Sequence, residues 1–235
     1  MHNPMNILRR PFRYRNENIV FILIGINVAV YLAQMLFNNV EHYFAMFPPS
    51  IIFNGWVWQF VTYMFVHDPG GIGHLLFNMF ALFIFGRQVE WQMGSREFLL
   101  FYLLTGALAG VFSFAVYYFS GIAAGNFFYA RMGDTIVRVS SNWLVSLMGA
   151  SGAIFAVQLA FATFFPRSVI YIWGILPLRA PIMVLAFTAL GLVFMVTGRG
   201  GNVAHVTHLA GFGFGWLYFV IRFRINPWKE MRRNW

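Results

Sequence analysis

Cysteine is absent from this chain, which excludes disulfides, thiolate nucleophiles and cysteine-based metal sites together. Charge is scarce as well, at 10% of residues, and only 7 of those residues are acidic. Every Asp and Glu falls in a connecting segment or at the end of an apolar run. No carboxylate is therefore available at mid-depth to complete a catalytic triad or a histidine-based metal site. Between Asn16 and Gly86 there is no lysine or arginine at all. Tandem repeats and low-complexity tracts are also missing.

What the chain has instead is apolar surface: 60% of its 235 residues are hydrophobic, 20% are aromatic and 29 are phenylalanine. That composition belongs to a protein whose solvent is mostly lipid. About 20 residues are needed to cross a hydrocarbon core of roughly 30 Å, so the length allows about six crossings and no appended globular domain. The apolar runs predict spans over 19–37, 72–90, 97–119, 148–165, 180–197 and 203–222. The expected fold is an all-α membrane bundle over 19–222, with a basic N-terminal segment at 1–18 and a basic tail at 223–235. The first run exceeds a cleavable signal-peptide core and lacks a small-residue cleavage site after it, so it reads as a signal anchor.

A net charge of +9 could indicate nucleic acid, but the cations follow topology instead of forming one face. Arg9, Arg10, Arg13 and Arg15 precede the first span; Arg87 and Arg96 follow the second; Arg167 and Arg179 follow the fourth. Arg222, Arg224, Lys229, Arg232 and Arg233 follow the sixth. Only Arg131, Arg138 and Arg199, 3 of the 16 basic residues, fall on the opposite side. The positive-inside rule then puts both termini in the cytoplasm and predicts a multi-pass protein with no nucleic-acid partner. The segment 38–71, with Phe47-Pro48-Pro49, Trp56 and Trp58, reads as an outer loop lying in the headgroup region. Residues 120–147 read as a second outer connection, and Ser168 to Arg179 as a short interfacial one.

This topology brings a few polar residues to one depth. Ser151 sits near the outer end of the fourth span, His208 near that of the sixth, and His74 with Asn78 near that of the second. Polar groups in lipid are costly and mark function by default. Gly211 and Gly215 share the face of His208, while Gly152, Ala156 and Ala160 make a stripe beside Ser151. Small-residue stripes let helices approach closely. At such a crossing His208 can take the Ser151 proton as general base and return it to a leaving amine. The expected unit is a Ser–His dyad with its ring packed on Phe155, and Asn78, His74 and the Ser151 backbone N–H as oxyanion donors.

These residues resemble a known family, the rhomboid intramembrane serine proteases. The resemblance is carried by Trp58-Gln59-Phe-Val-Thr62, His67, His74-Leu-Leu-Phe-Asn78, Gly86 to Glu90, Gly94-Ser95, Gly149-Ala-Ser151-Gly152-Ala-Ile-Phe155 and Ala204 to Gly215. It implies a six-helix core with a half-submerged first outer loop. It also implies cleavage of transmembrane substrates in the lipid bilayer, with Ser151 as nucleophile, His208 as base, His74 and Asn78 at the oxyanion and Gly149 shaping the loop at the serine. No cofactor is implied. The chain departs from the family in having Trp58-Gln59 where Trp-Arg is frequent, and in a Gly-rich spacer between His67 and His74.

Bland readings stand beside these. His67 and His205 read as packing residues, and the Arg87–Glu90 pair with Trp91 as a device fixing a helix end. His74, His205 and His208 could hold a metal, but no His-Glu-x-x-His pattern occurs, so none is expected. Two other functions fit an apolar bundle with a polar cluster: a catalytically poor relative that binds membrane clients, and a small transporter or channel. A transporter would carry an internal repeat or polar residues through the full depth, and here they stop halfway.

Overall fold

A computed structural model describes residues 11–37, 39–132, 134–172, 175–197 and 202–233. Arg9, Arg10 and Arg199 of the basic pattern lie outside the described residues, as do 1–10 of the N-terminal segment and 234–235 of the tail. The chain is mostly helical, as lipid demands, because a helix satisfies its own backbone hydrogen bonds. Helix α1 (Ile19–Leu36) opens beside a buried carboxylate: Glu90 accepts the N–H groups of Ile19 at 2.7 Å and Val20 at 3.1 Å. These are donors that no helix satisfies internally, and the negative charge also suits the positive helix end. Arg87 lies 3.8 Å from Glu90 and donates to Asn18 Oδ1 at 2.9 Å. Glu90 thus caps α1 from another helix, and its partner Arg87 holds the residue just before α1.

Three short helices follow: α2 (Val40–Phe44), α3 (Pro48–Asn54) and α4 (Gln59–Thr62), the last running into a tight turn at Tyr63–Phe65. Gln59 is fully buried. Its carboxamide donates to the carbonyls of His42 and Tyr43, each at 3.3 Å, and accepts the Phe47 N–H at 3.1 Å. A neutral amide can both donate and accept, whereas a guanidinium only donates. Gln59 therefore anchors this loop internally, with Trp58 Nε1 adding a bond to the Tyr43 carbonyl at 3.0 Å.

Helix α5 (Ile72–Ala81), a wide turn at Leu82–Gly86 and α6 (Arg87–Met93) follow one another without a break. α1 crosses this rod at Gly86, where a Cβ would meet Val20 Cγ2 at 3.1 Å. Helix α7 (Ser95–Ala124) has 30 residues and spans roughly 45 Å, so it is longer than the predicted 97–119. Beyond it stands a hairpin of β1 (Phe127–Met132) and β2 (Thr135–Ser140), paired from Phe127–Ser140 to Met132–Thr135. Helix α8 (Ser151–Phe164) is 14 residues long. A second hairpin pairs β3 (Val169–Ile172) with β4 (Leu176–Arg179). It leads into α9 (Ala180–Thr197), α10 (Asn202–Tyr218) and, after a wide turn at Phe219–Phe223, α11 (Pro227–Arg233).

The hairpins correct the all-α expectation. Val169-Ile-Tyr-Ile and Thr135-Ile-Val-Arg-Val are β-branched and aromatic runs, too short to cross a membrane and suited to a pleated pair. Pro177 sits within β4 and Pro181 in the first turn of α9, where its missing N–H costs nothing.

Among the described residues, three helices are long and apolar enough to cross a membrane: Ile19–Leu36, Ser95–Ala124 and His205–Phe223. α8 is apolar but covers roughly 21 Å, less than a full hydrocarbon core. It is buried on nearly every side: Gly152, Ala153, Ala156, Val157 and Ala160 are all covered. α10 packs against it so closely that a Cβ on Gly211 would stand 2.0 Å from the Gly152 carbonyl oxygen, and one on Gly215 3.0 Å from Ala156 Cβ. α7 joins α10 through Ser113 and Thr207, whose hydroxyls are 2.7 Å apart. At the other end Glu97 binds Arg222 at 2.7 and 2.9 Å, accepts the Tyr218 hydroxyl and takes the Phe12 N–H at 3.1 Å. Such a two-point, charge-assisted contact fixes orientation as well as distance.

Candidate active site

The segment before α8 is built around Gly149. Its φ is +112°, a region that side chains other than hydrogen rarely adopt. Its N–H donates to the Tyr63 carbonyl at 2.9 Å, and a Cβ would lie 2.8 Å from His74 Cε1. Leu147 upstream exchanges backbone bonds of 2.9 Å with Met46. Loop and turn together deliver Ser151 as the first residue of α8, with no side chain capping that helix end. The exposed donors and the positive helix end both face the Ser151 region.

His208, on α10, comes within 2.8 Å of Ser151 Oγ through Nε2. The ring lies flat on Phe155, centroids 4.1 Å apart and planes 7° from parallel. Phe155 in turn meets the edge of Phe212 at 5.0 Å. Stacking thus sets the ring's plane, and the Gly211–Gly152 contact sets its distance from Ser151. His205 stands edge-on to His208 at 6.3 Å.

His74 and Asn78 stand on α5 across the cleft. Asn78 is buried and donates one amide hydrogen to the His74 carbonyl at 2.9 Å, which leaves its second N–H for another acceptor. His74 Nδ1 accepts the Asp68 N–H at 3.4 Å, so in the neutral ring the proton is on Nε2. That nitrogen is the one beside Gly149, 2.9 Å from where a Cβ would be.

His67 is fully buried, edge-on to His74 with centroids 5.1 Å apart. Burial first, and His74 second, holds its ring down at about 4, so it is neutral packing at physiological pH. Its backbone is held from α1: Gln34 Nε2 donates to the His67 carbonyl at 2.8 Å, and Gln34 Oε1 accepts the His67 N–H at 3.0 Å. Gln34 and Tyr63 were not singled out from the sequence, although a glutamine inside an apolar run is the signal that could have found the first. Tyr63 is legible only in three dimensions. Its hydroxyl donates to the Gly106 carbonyl at 2.7 Å, and a Cβ on Gly110 would lie 2.6 Å from its ring. α7 thereby positions the residue whose carbonyl holds Gly149.

Ser151, His208, His74 and Asn78 all line one cleft of about 520 Å³, which continues past Phe155 to Gln158. Gly152, Gly211 and Gly215 lie behind it in the helix contact. A hydroxyl, a ring nitrogen in hydrogen-bond reach and a set of N–H donors on one cleft can perform acyl transfer.

A family model described as the Rhomboid domain matches residues 54–225. The chain belongs to the rhomboid family. It is 30% identical over 135 residues to Rhomboid protease GlpG of Haemophilus influenzae, covering 56% of this chain and 68% of that protein. To RHOMBOID-like protein 12, mitochondrial, of Arabidopsis thaliana it is 27% identical over 199 residues, 83% of this chain and 56% of the relative. Rhomboid protease AarA of Providencia stuartii is 27% identical over 159 residues, 65% of this chain and 52% of AarA. This rhomboid therefore spans about two thirds of the first relative and about half of the other two. Two of the three are named as proteases. Family and apolar helices together make it a membrane-embedded protein.

Proposed function

We propose that this rhomboid is an intramembrane serine protease that cuts transmembrane segments near the outer membrane face with a Ser151–His208 dyad. The observation that carries this reading is the 2.8 Å approach of His208 Nε2 to Ser151 Oγ between two apolar helices. His208 takes the hydroxyl proton as Ser151 Oγ attacks the scissile carbonyl. The oxyanion receives hydrogen bonds from the Ser151 N–H, Asn78 Nδ2 and His74 Nε2–H. His208 then returns the proton to the leaving amine, and water, activated by the same ring, releases the acyl group. Proton balance closes on these two side chains, with no metal or cofactor. Reaction of the purified protein with a fluorophosphonate probe should add one label, at Ser151, and none to Ser151→Ala. A protein that neither labels nor cuts would favour the client-binding reading.

In this reading the chain has six spans within 19–222, both termini cytoplasmic, and the Gln59-anchored first outer loop half-submerged beside α5. The basic segments 1–18 and 223–235 then face anionic lipid on the inner side. Its substrates are single-span or other transmembrane proteins.

Removing one oxyanion donor while others remain costs about 10²–10³ in rate. Asn78→Ala and His74→Ala should each fall by that order in single-turnover cleavage of a reporter. Wild-type rates in both variants would rule out this donor set and leave the dyad standing.

A peptide bond within a helix is hydrogen-bonded and screened by its side chains, so a substrate must unwind before Ser151 can reach it. Gly or Pro placed near the outer end of a resistant single-span protein should render it cleavable in vesicles of known orientation. The same change near the cytoplasmic end should do little. Preferential cutting at the inner end would overturn the proposed access side and topology.

A further inference from the structure

Gln158 lies seven residues after Ser151 on α8, within 20° of the same face and on the order of 10 Å further along the axis. Helical side chains lean toward the N-terminus, which carries a long one back toward Ser151. Gln158 lines the cleft that Ser151 opens. It is 6% exposed, and its Oε1 has no hydrogen-bond partner. The walls between are Ile154, Phe155, Phe187 and Leu147, all apolar. A buried amide left unpaired costs stability, and one that borders an open cleft is placed where an entering group can complete it. Away from the Ser151 end, a mostly apolar cleft with a well-placed polar group is also the usual design of a selective site.

We propose that Gln158 is a specificity residue whose carboxamide hydrogen-bonds a short, uncharged polar side chain on the substrate residue immediately N-terminal to the scissile bond. This rests on the protease reading. With the scissile carbonyl oxygen turned to Asn78 and His74, the acyl residue's side chain has the cleft below Ser151 to enter. A carboxamide brings no charge, so it cannot offset the burial of an ion, and the selected side chain must be neutral. A site built around a hydrogen bond discriminates against isosteres that lack it, because its own polar group is then left unpaired.

The test is a series of reporters differing only at that residue: Ala, Thr, Val, Asn and Leu. The polar member of the Thr–Val pair, the Asn–Leu pair or both should be cut with kcat/KM about tenfold above its isostere. In Gln158→Met, close in volume, that ratio should fall to about one. Its Tm in detergent should be no lower than wild type, because an unpaired buried amide has been replaced by an apolar group. Equal rates within both pairs, alongside ready cleavage of the Ala reporter, would overturn the proposal alone. So would a lowered Tm with an unchanged ratio in Gln158→Met, which would make Gln158 a structural residue. If wild type cuts no reporter and Ser151 takes no fluorophosphonate label, the protease reading falls and this subsite with it.

Discussion

Ser151→Ala and His208→Ala should each reduce cleavage of a transmembrane reporter to background, a loss on the order of 10⁴-fold or more, and the double variant should lose no further activity. In the proposed dyad, nucleophile and base act as one unit. Without His208 the hydroxyl keeps its proton, and without Ser151 the ring has nothing to activate. The 2.8 Å contact makes that dependence direct, with no intervening group. Both variants should remain folded, because the net worth of one such hydrogen bond is about 1 kcal/mol and the stripes that join α8 to α10 are untouched. Tm and detergent-phase size should match wild type. Turnover by either purified variant above contamination would sink the dyad.

Gly211→Val should abolish activity and lower Tm together. The first added carbon would stand 2.0 Å from the Gly152 carbonyl oxygen, 3.0 Å from its carbon and 3.4 Å from its Cα. All three are backbone atoms that cannot turn aside, and valine adds two more carbons. The helices must separate, and His208, one turn from Gly211, is carried away from Ser151. Overpacking of this kind costs about 1–3 kcal/mol or more, which corresponds to roughly 2–12 °C in Tm for a chain of this size. Gly213→Ala is the control, since nothing lies within 4 Å of a Cβ there and alanine suits a helix better than glycine. A Gly211→Val protein with full activity and unchanged Tm would show that the close contact does not hold α8 and α10 in register.

Both predictions concern residues visible in the sequence for one reason: lipid makes polar and very small residues conspicuous. Ser151 and His208 interrupt apolar runs, and Gly211 and Gly215 recur at the spacing of one helix face. Hydropathy likewise drew α1 and α9 to within a residue of their observed bounds, Ile19–Leu36 and Ala180–Thr197, because burial in lipid imposes one requirement on every residue of a span. The same measure drew α8 too long and α7 too short, and it passed over both hairpins, whose pairing depends on a partner strand.

What the sequence by itself determined is therefore the solvent of this chain, the approximate places of its long apolar helices and the few side chains that lipid would not hold without cause. The tertiary structure alone decided how those side chains meet. Gly149 takes a φ of +112° because its N–H must reach Tyr63 and the His74 ring occupies the room a Cβ would need. His67 is gripped by Gln34 from 33 residues away, and Gln158 Oε1 is left without a hydrogen-bond partner in a cleft whose nearer walls include the apolar Ile154, Phe155 and Phe187. Periodicity reports the face on which a residue lies, since that follows from one helix's own geometry. Which atoms come within hydrogen-bond reach follows from how several helices cross, and that is a property of the packed chain.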